Sequence, residues 1–343
     1  MSINPSGKIK PAVFGIAFVI VFAAVATAIS SMGNIKTAGL SPVVVGMILG
    51  LISGNLFYEN TPESWRVGFI FCIKYVLRTA IIFYGFRITF QEISYVGIHG
   101  LLVSVLMVIS TLFIGLFIGK QLKLDRDLAI LTSSGSAVCG AAAVLATESV
   151  LKSEPHKSAI AVSTVVLFGT LSMFIYPVFF HSGITSFSAN DFGIYIGGCV
   201  HEVAQVVVAG NGVSDSAAHT GVIVKMTRVM LLVPMLFGMS VFLRSKTLST
   251  GAEKAKIAVP YFVLGFILVV GFNSFNMIPK NGIDIINTAD TFLLTMAMFA
   301  LGIQTRFSKI KEGEGKAIYL AALLFAWLVL GGYCITKCVV MFF

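Results

Sequence analysis

Charge is what this sequence most lacks. Only 11% of its 343 residues are charged, whereas 57% are hydrophobic. A soluble domain carries about 25% charged residues, because its surface faces water. The shortage therefore excludes a soluble domain of ordinary composition and indicates a surface that faces the lipid bilayer. No hydrophilic stretch is long enough to fold separately, so we predict one transmembrane domain over residues 1–343.

Other absences narrow the function. The chain has no G-x-x-x-x-G-K-[ST] motif, so an ATP-driven pump would need a separate subunit. Its cysteines lie in apolar runs without paired spacing, which argues against disulfides and zinc sites. They are Cys72, Cys139, Cys199, Cys334 and Cys338. The net charge of +9 comes from short loops between apolar runs, so it sets topology and does not indicate nucleic acid as a partner. We expect no metal and no cofactor beyond a coupling proton or sodium ion.

Long apolar runs dominate what remains and predict an all-α polytopic membrane protein. A helix that crosses a bilayer needs about 20 apolar residues. The predicted spans are 11–29, 41–57, 66–86, 98–118, 128–151, 157–180, 189–209, 219–242, 258–275, 283–304 and 317–342, which makes about eleven. Lys and Arg concentrate in the loops on one side when the N-terminus is placed in the cytoplasm, and we therefore predict that orientation.

Similar features recur five spans apart. Lys74 and Arg78 lie in the third predicted span, and Lys225 and Arg228 lie in the eighth. The fifth and tenth spans are both interrupted by small and polar residues. Inverted repeats with interrupted helices are typical of secondary transporters. We predict a 5+5 inverted repeat with broken, crossing helices.

In this scheme residues 1–40 form an extra N-terminal helix, 41–181 the first repeat and 188–343 the second. The extra helix is a candidate interface for a homodimer. The series Gly46, Gly50 and Gly54 predicts a closely packed face on the second span.

The fifth predicted span contains glycines and hydroxyl groups at its middle. A break there would point the N–H groups of the second half into the membrane, where they and the helix dipole form an anion site. A close-packed helix crossing is the alternative. The candidate substrate-binding residues are Ser133, Ser134, Gly135, Ser136, Cys139 and Gly140.

The seventh predicted span carries two glycines followed by His201, Glu202 and Gln205, and we predict that its helix breaks over Gly197–Gln205. An ionisable group inside a membrane is a functional hypothesis by default, because it is costly to leave in lipid. A structural hydrogen-bond network is the alternative. A zinc-binding H-E-x-x-H motif is excluded, because Gln205 occupies the second histidine position. We predict that His201 and Gln205 bind substrate and that His201 and Glu202 couple ion movement.

The tenth predicted span adds Asp290 and Thr295. Asp290 either carries a proton or sodium ion or caps a half-helix, and Thr295 is a further substrate-binding candidate. Two roles are possible for the four cations within predicted spans, Lys74, Arg78, Lys225 and Arg228. They either compensate the charge of an anionic substrate or form structural ion pairs with Glu202 or Asp290. For Lys74 and Arg78, which lie near the end of their span, reaching the headgroups is a further explanation.

The stretch GGCVHEVAQVVVAG, Gly197–Gly210, resembles the signature of the YeiH-type family of sulfate exporters. Tyr84–Arg87, Val138–Gly140 and Val224–Val229 resemble the same family. The resemblance implies a transporter of the bacterial cytoplasmic (inner) membrane. The predicted layout is also similar to that of sodium/bile-acid symporters and sodium/proton antiporters.

These features together predict a secondary active transporter of a small anion, such as sulfate or an organic sulfonate or carboxylate. Coupling to protons or sodium and alternating access are expected. A sodium/proton antiporter is the first alternative. We do not predict an enzyme, although an intramembrane enzyme using Cys139 and His201 is an alternative of another class. A membrane sensor or scaffold, in which the polar residues are dispensable for flux, is a third.

Overall fold

The computed structural model describes residues 6–32, 41–244, 261–275, 277–305 and 315–342, and all regular structure in these ranges is helical. The α-helices are α1 (Ser6–Ser31), α2 (Pro42–Phe57), α3 (Glu63–Phe71), α4 (Leu77–Tyr84), α5 (Phe90–Gln121), α6 (Arg126–Ala137), α7 (Ala141–Leu151), α8 (Pro155–His181), α9 (Ala189–Cys199), α10 (Val203–Asn211), α11 (Asp215–Met230), α12 (Leu232–Arg244), α13 (Tyr261–Ser274), α14 (Lys280–Gln304) and α15 (Gly315–Phe342). A π-helical turn, Cys72–Val76, joins α3 to α4.

Several of these helices are long and apolar enough to cross a membrane, which confirms the predicted class. They are Ala12–Ser31, Glu63–Arg87, Phe90–Gln121, His156–His181, Asp215–Met239, Lys280–Gln304 and Gly315–Phe342. Shorter apolar helices cover Pro42–Leu56, Ala141–Leu151 and Tyr261–Ser274. Most predicted spans other than the fifth and seventh coincide with one helix or with consecutive helices. The ninth does so from Tyr261, because residues 258–260 lie outside the described part of the chain.

Two compact units divide the chain. The first unit contains residues 1–91 and 264–308, and the second contains 92–263 and 309–343. Each unit takes segments from both halves of the sequence, so the units differ from the predicted repeats. The inverted repeat itself stays a prediction.

In the first unit, α2 packs against α14 along the predicted glycine face. Gly46 lies against Thr295, and Gly54 lies against Ile303, so the two helices run parallel. A Cβ atom added at Gly50 would lie 3.0 Å from the Cα atom of Gly302. Only glycine permits this approach of the two backbones, and the predicted packing face is confirmed.

The predicted break in the tenth span is wrong, because α14 is continuous through Asp290 and Thr295. The hydroxyl groups of Thr291 and Thr295 donate to the carbonyls of Asn287 and Thr291 at 2.8 and 2.7 Å. Polar groups satisfied within their own helix do not interrupt it. The helix also contains no glycine or proline between residues 283 and 301.

In the second unit, the fifth predicted span is a helical hairpin. Asp125, immediately before α6, forms an ion pair with Lys157, at the start of α8, at 3.0 Å. Gly135, near the end of α6, lies beside Val165 further along α8. Because α6 and α8 run parallel from a common end, the intervening α7 must return to that end. The twelve residues of α6 span about 18 Å, which is short of the roughly 30 Å hydrocarbon core.

The seventh predicted span is a second hairpin. Gly193, near the start of α9, lies against Ala217 of α11. Gly210, near the end of α10, lies against the neighbouring Ala218. Both ends of the segment 189–211 therefore lie beside the start of α11, and the segment does not cross from one end of the unit to the other.

The two hairpins enter the second unit from opposite ends. Helix α8 begins at the base of hairpin 1 (residues 126–151). His181, at the other end of α8, bonds through Nε2 to the carbonyl of Gly212, at the base of hairpin 2 (residues 189–211), at 2.9 Å. The prediction that both segments are broken spans is therefore corrected: each is broken where predicted, but each turns back.

Because hairpin 1 turns back, Lys152 and Lys157 lie on the side of the membrane opposite to the one predicted. The ion pair between Lys157 and Asp125 places Lys152 and Lys157 at the end that also carries Lys120 and Lys123. The bias of positive charge towards that side becomes steeper than the one predicted from eleven crossings. The cytoplasmic position of the N-terminus stays a prediction.

Cysteine labelling tests the hairpin. Lys123→Cys and Lys152→Cys should both react with a membrane-impermeant maleimide from the same side of sealed vesicles. Ser182→Cys should react only from the opposite side. All three positions are exposed. Labelling is measured as the increment over the unsubstituted chain, and reaction of Lys152→Cys from the side of Ser182→Cys would contradict the hairpin.

Candidate functional site

The tip of hairpin 1 is the irregular segment between α6 and α7, Val138–Gly140. Val138 leaves the helical region (φ −117°, ψ −84°), and Gly140 has φ +71°, which favours glycine. A Cβ atom added at Gly140 would also lie 2.5 Å from Cγ of Glu202. Glycine is therefore required for both the turn and the space beside it.

The tip of hairpin 2 is Val200–Glu202, where the backbone becomes extended between α9 and α10. Glu202 is the N-cap of α10 and forms a capping box with Gln205. The backbone N–H of Glu202 donates to Oε1 of Gln205 at 3.1 Å, and the backbone N–H of Gln205 donates to the Glu202 carboxylate. A capping box satisfies two N–H groups that a helix start leaves without partners.

The two tips meet at Glu202. The backbone N–H of Ala141, the first residue of α7, donates to Oε1 of Glu202 at 3.2 Å. The carboxylate thus lies at the N-termini of both α7 and α10, where the helix dipoles favour negative charge. Glu202 and Ala141 are partly accessible and Ala142 is exposed, so this position is open to its surroundings.

Two buried cations hold the C-terminal ends of the other half-helices. Nζ of Lys225 donates to the carbonyls of Val138, at 2.6 Å, and Val200, at 2.8 Å. One ammonium group therefore joins the tips of the two hairpins. Helix C-termini leave carbonyls without partners and carry the negative end of the dipole, so a cation stabilises both.

Arg228 makes the same kind of connection with a wider reach. Its Nε and Nη2 donate to the carbonyls of Ala137 and Ser136, both at 2.6 Å, and Nη1 donates to Val200 at 3.2 Å. Arg228 and Lys225 are both 0% exposed. Of the two alternatives for these cations, the ion pair with Glu202 is not found among the described residues, because the donors that both cations use go to backbone carbonyls.

The predicted substrate-binding residues separate into two groups. Ser133 and Ser134 donate to carbonyls of their own helix, those of Ala129 at 2.6 Å and Leu131 at 3.0 Å. Gly135 serves packing against α8. The second group lies at the tips or within three residues of them, and its members are Ser136, Cys139, Gly140, His201 and Gln205.

Several buried polar atoms near the tips have no hydrogen-bond partner in the described part of the chain. They are Oγ of Ser136, Nδ1 of His201 and Nε2 of Gln205. Each of these residues is at most 1% exposed. Cys139 is buried as well, and no hydrogen bond joins it to His201 among the described residues.

Gly169 of α8 is a site residue that the sequence reasoning missed. A Cβ atom added there would lie 2.5 Å from Nε2 of Gln205. The absent side chain makes room for the amide that completes the capping box. Nothing in the local sequence marks this glycine, because its partner lies 36 residues away.

Asp290 pairs with Arg87 in the first unit. The guanidinium donates to Oδ2 of Asp290 at 3.2 Å and to Oγ1 of Thr291 at 2.7 Å. The Tyr84 ring lies 5.1 Å from the guanidinium carbon. Asp290 caps no half-helix, because α14 is continuous there. Arg87 belongs to the segment Tyr84–Arg87 that carried the family resemblance, which was the available signal for its importance.

The remaining predicted residues also lie in the first unit. Lys74, in the π-helical turn, and Arg78 are exposed, as expected for side chains that reach towards headgroups. Thr295 is buried against Gly46, and its hydroxyl donates within α14. Their predicted roles in substrate binding and charge compensation stay predictions.

Comparison with known proteins identifies the family of this chain. The family model described as Conserved hypothetical protein 698 matches residues 14–321. A UPF0324 membrane protein of Pseudomonas putida is 49% identical over 324 residues, 94% of this chain and 92% of that protein. The chain belongs to the UPF0324 family of membrane proteins. A Bacteroides thetaiotaomicron member is 45% identical over 326 residues, 94% of this chain and 97% of its own length.

The predicted resemblance is confirmed by a third relative. The UPF0324 inner membrane protein YeiH of Escherichia coli K12 is 43% identical over 319 residues, 93% of this chain and 91% of that protein. Family membership shows a membrane protein, and the long apolar helices fit one that crosses the membrane several times. The substrate must be argued from the site.

Substituting Arg228 by lysine tests whether stability depends on the positive charge alone or also on the geometry of the guanidinium group. Arg228→Lys keeps the charge, but one ammonium cannot reach three carbonyls as the guanidinium does. We expect about 1–3 kcal/mol of lost stability for a buried carbonyl left unpaired, measured as a lower Tm in detergent. Arg78→Lys, at an exposed position, is the control and should leave Tm nearly unchanged. An unchanged Tm for Arg228→Lys would contradict the bracing role.

Gly169→Ala tests the space for Gln205. The added methyl group should displace the amide and break the capping box, at a cost of about 0.5–2 kcal/mol. Gly238→Ala, in a helix of the same unit with no heavy atom within 4 Å of its added Cβ, is the matched control. Thermal unfolding should show a lower Tm for Gly169→Ala and an equal or higher Tm for Gly238→Ala. Equal shifts in both variants would argue against a packed Gln205.

Proposed function

We propose that this protein is a secondary active transporter of a small anion, bound at the meeting point of the two hairpin tips. The observation that carries the proposal is the charge of this point. Lys225 and Arg228 are fully buried there, and Glu202 is the one carboxylate among the described residues at the tips. The two helix C-termini and two helix N-termini compensate each other, so one positive charge remains.

The hydrogen-bond inventory supports an anion as well. An ammonium has three N–H donors and a guanidinium has five. Lys225 directs two donors, and Arg228 three, to backbone carbonyls. Donors therefore remain on both cations, and Nε2 of Gln205 is a further donor without an acceptor. A small oxyanion such as sulfate, a sulfonate or a carboxylate has the charge and acceptors to match.

The opposed hairpins suit alternating access. Each hairpin reaches the same point from a different end of the second unit, so a modest movement of either would open that point to one side. Binding sites near mid-membrane that are formed by interrupted helices are typical of secondary transporters. We further propose an inner-membrane location with a cytoplasmic N-terminus, in keeping with the name of the Escherichia coli relative and with the steep bias of loop cations.

Purified protein in liposomes provides the test. Labelled sulfate uptake is measured under an imposed proton or sodium gradient, with methanesulfonate and acetate as competitors. Gln205→Ala should reduce uptake at least tenfold, because it removes both the cap and a free donor. Gln121→Ala, at the exposed end of α5, is the control and should transport normally.

Other outcomes would overturn the proposal. Sodium/proton exchange without flux of any tested anion would favour the antiporter. Hydrolytic turnover that disappears in Cys139→Ala would favour an intramembrane enzyme, which we do not propose. Full transport by Gln205→Ala would place the anion elsewhere.

A further inference from the structure

The Glu202 carboxylate occupies a position that is built for an anion. It accepts backbone N–H groups from two separate helix N-termini, Ala141 of α7 and Gln205 of α10. Backbone N–H groups at the start of a helix, together with its dipole, bind free carboxylates, sulfates and phosphates in the same way. An acidic side chain of the protein itself fills this position.

Buried hydrogen-bond donors without an acceptor surround the position of the Glu202 carboxylate. They indicate that the position also accommodates a group other than this carboxylate. The Oε1 atom of Gln205 is fixed by the Glu202 N–H, which holds the amide at the tip while the fully buried Nε2 has no acceptor among the described residues. Oγ of Ser136, on the facing hairpin, is likewise buried without a partner. A structural cap alone would require neither group.

We propose that Glu202 is a tethered competitor of the transported anion. In the absence of substrate its carboxylate fills the anion position. When Glu202 takes up one proton from solution it becomes a neutral acid, the two helix N-termini no longer hold it, and a substrate oxyanion replaces it. This step rests on the proposed function and identifies the substrate as an oxyanion able to accept the N–H groups of Ala141 and Gln205.

The charges facing Glu202 fit this exchange. Lys225 and Arg228 face the tips from α11, Cys139 lies on the tip of hairpin 1, and His201 precedes Glu202. The site carries the same total charge with ionised Glu202 as with protonated Glu202 and a bound monovalent anion. Each monovalent anion that enters is therefore matched by the one proton on Glu202, and a divalent anion such as sulfate brings one negative charge more than this proton balances. The exchange couples anion movement to protons.

Calorimetric titration of the purified full chain in detergent tests the competition separately from transport. The probes are sodium sulfate and sodium methanesulfonate, at pH 5.5 and pH 7.5. Only protein with protonated Glu202 is competent to bind, so apparent affinity should weaken about tenfold per pH unit while the carboxylate is ionised, about 100-fold overall. Glu202→Gln is neutral at both pH values and should bind with equal affinity at both, at least tenfold tighter than the unsubstituted chain at pH 7.5.

Two further variants complete the experiment. Glu148→Gln makes the same change in hairpin 1, away from the tips, and should retain the pH dependence of the unsubstituted chain. Glu202→Asp withdraws the carboxylate by one methylene group from the N–H of Ala141. It should bind sulfate more tightly than the unsubstituted chain at pH 7.5, and it keeps the test available if Glu202→Gln does not fold.

The outcomes separate the two proposals. Anion binding by the unsubstituted chain at pH 5.5, with the same pH dependence in both Glu202 variants, would overturn the tethered competitor and leave anion transport standing. Absence of binding of either anion, in every variant and at both pH values, would overturn the proposed function itself. Tighter, pH-independent binding by Glu202→Gln would support both.

Discussion

The second unit depends on the hydrogen bonds from Lys225 and Arg228 to the backbone of both hairpin tips. A helix that ends inside a membrane exposes carbonyls and N–H groups where no water can satisfy them. The two cations satisfy the carbonyl ends, and Glu202 satisfies N–H groups at the other two ends. Hairpins 1 and 2 can therefore stop midway and face each other, and the turn at Gly140 and the space at Gly169 follow from that meeting.

Both breaks in the second unit were predictable from the sequence, because their causes are local. Glycines and unpaired polar residues within an apolar run disfavour a continuous helix wherever the run is placed, and Gly140 takes a backbone conformation that other residues avoid. The same reasoning failed for α14, where threonines accompany Asp290 without glycine or proline. Threonine hydroxyls bond back to their own helix, so polar clusters alone do not interrupt it.

The direction of the chain after each break was not predictable, because it depends on contacts between distant segments. A broken span and a hairpin have the same apolar length and the same interruption. What distinguishes them is the pairing of Asp125 with Lys157 and the packing of Gly193 and Gly210 against the start of α11. The partners of the charged residues were unpredictable for the same reason. Asp290, for example, pairs with Arg87, about 200 residues earlier in the chain.

The choice of full charges at the tips is itself informative. Neutral donors such as asparagine or serine side chains would satisfy exposed carbonyls without the several kcal/mol that desolvation of each ion costs. Two cations and one carboxylate are therefore more than the fold requires. A scaffold or sensor gains nothing from a buried positive charge that no residue at the tips balances. A transporter of anions gains a site that attracts an anion at every stage, with Glu202 holding the anion position until the substrate replaces it.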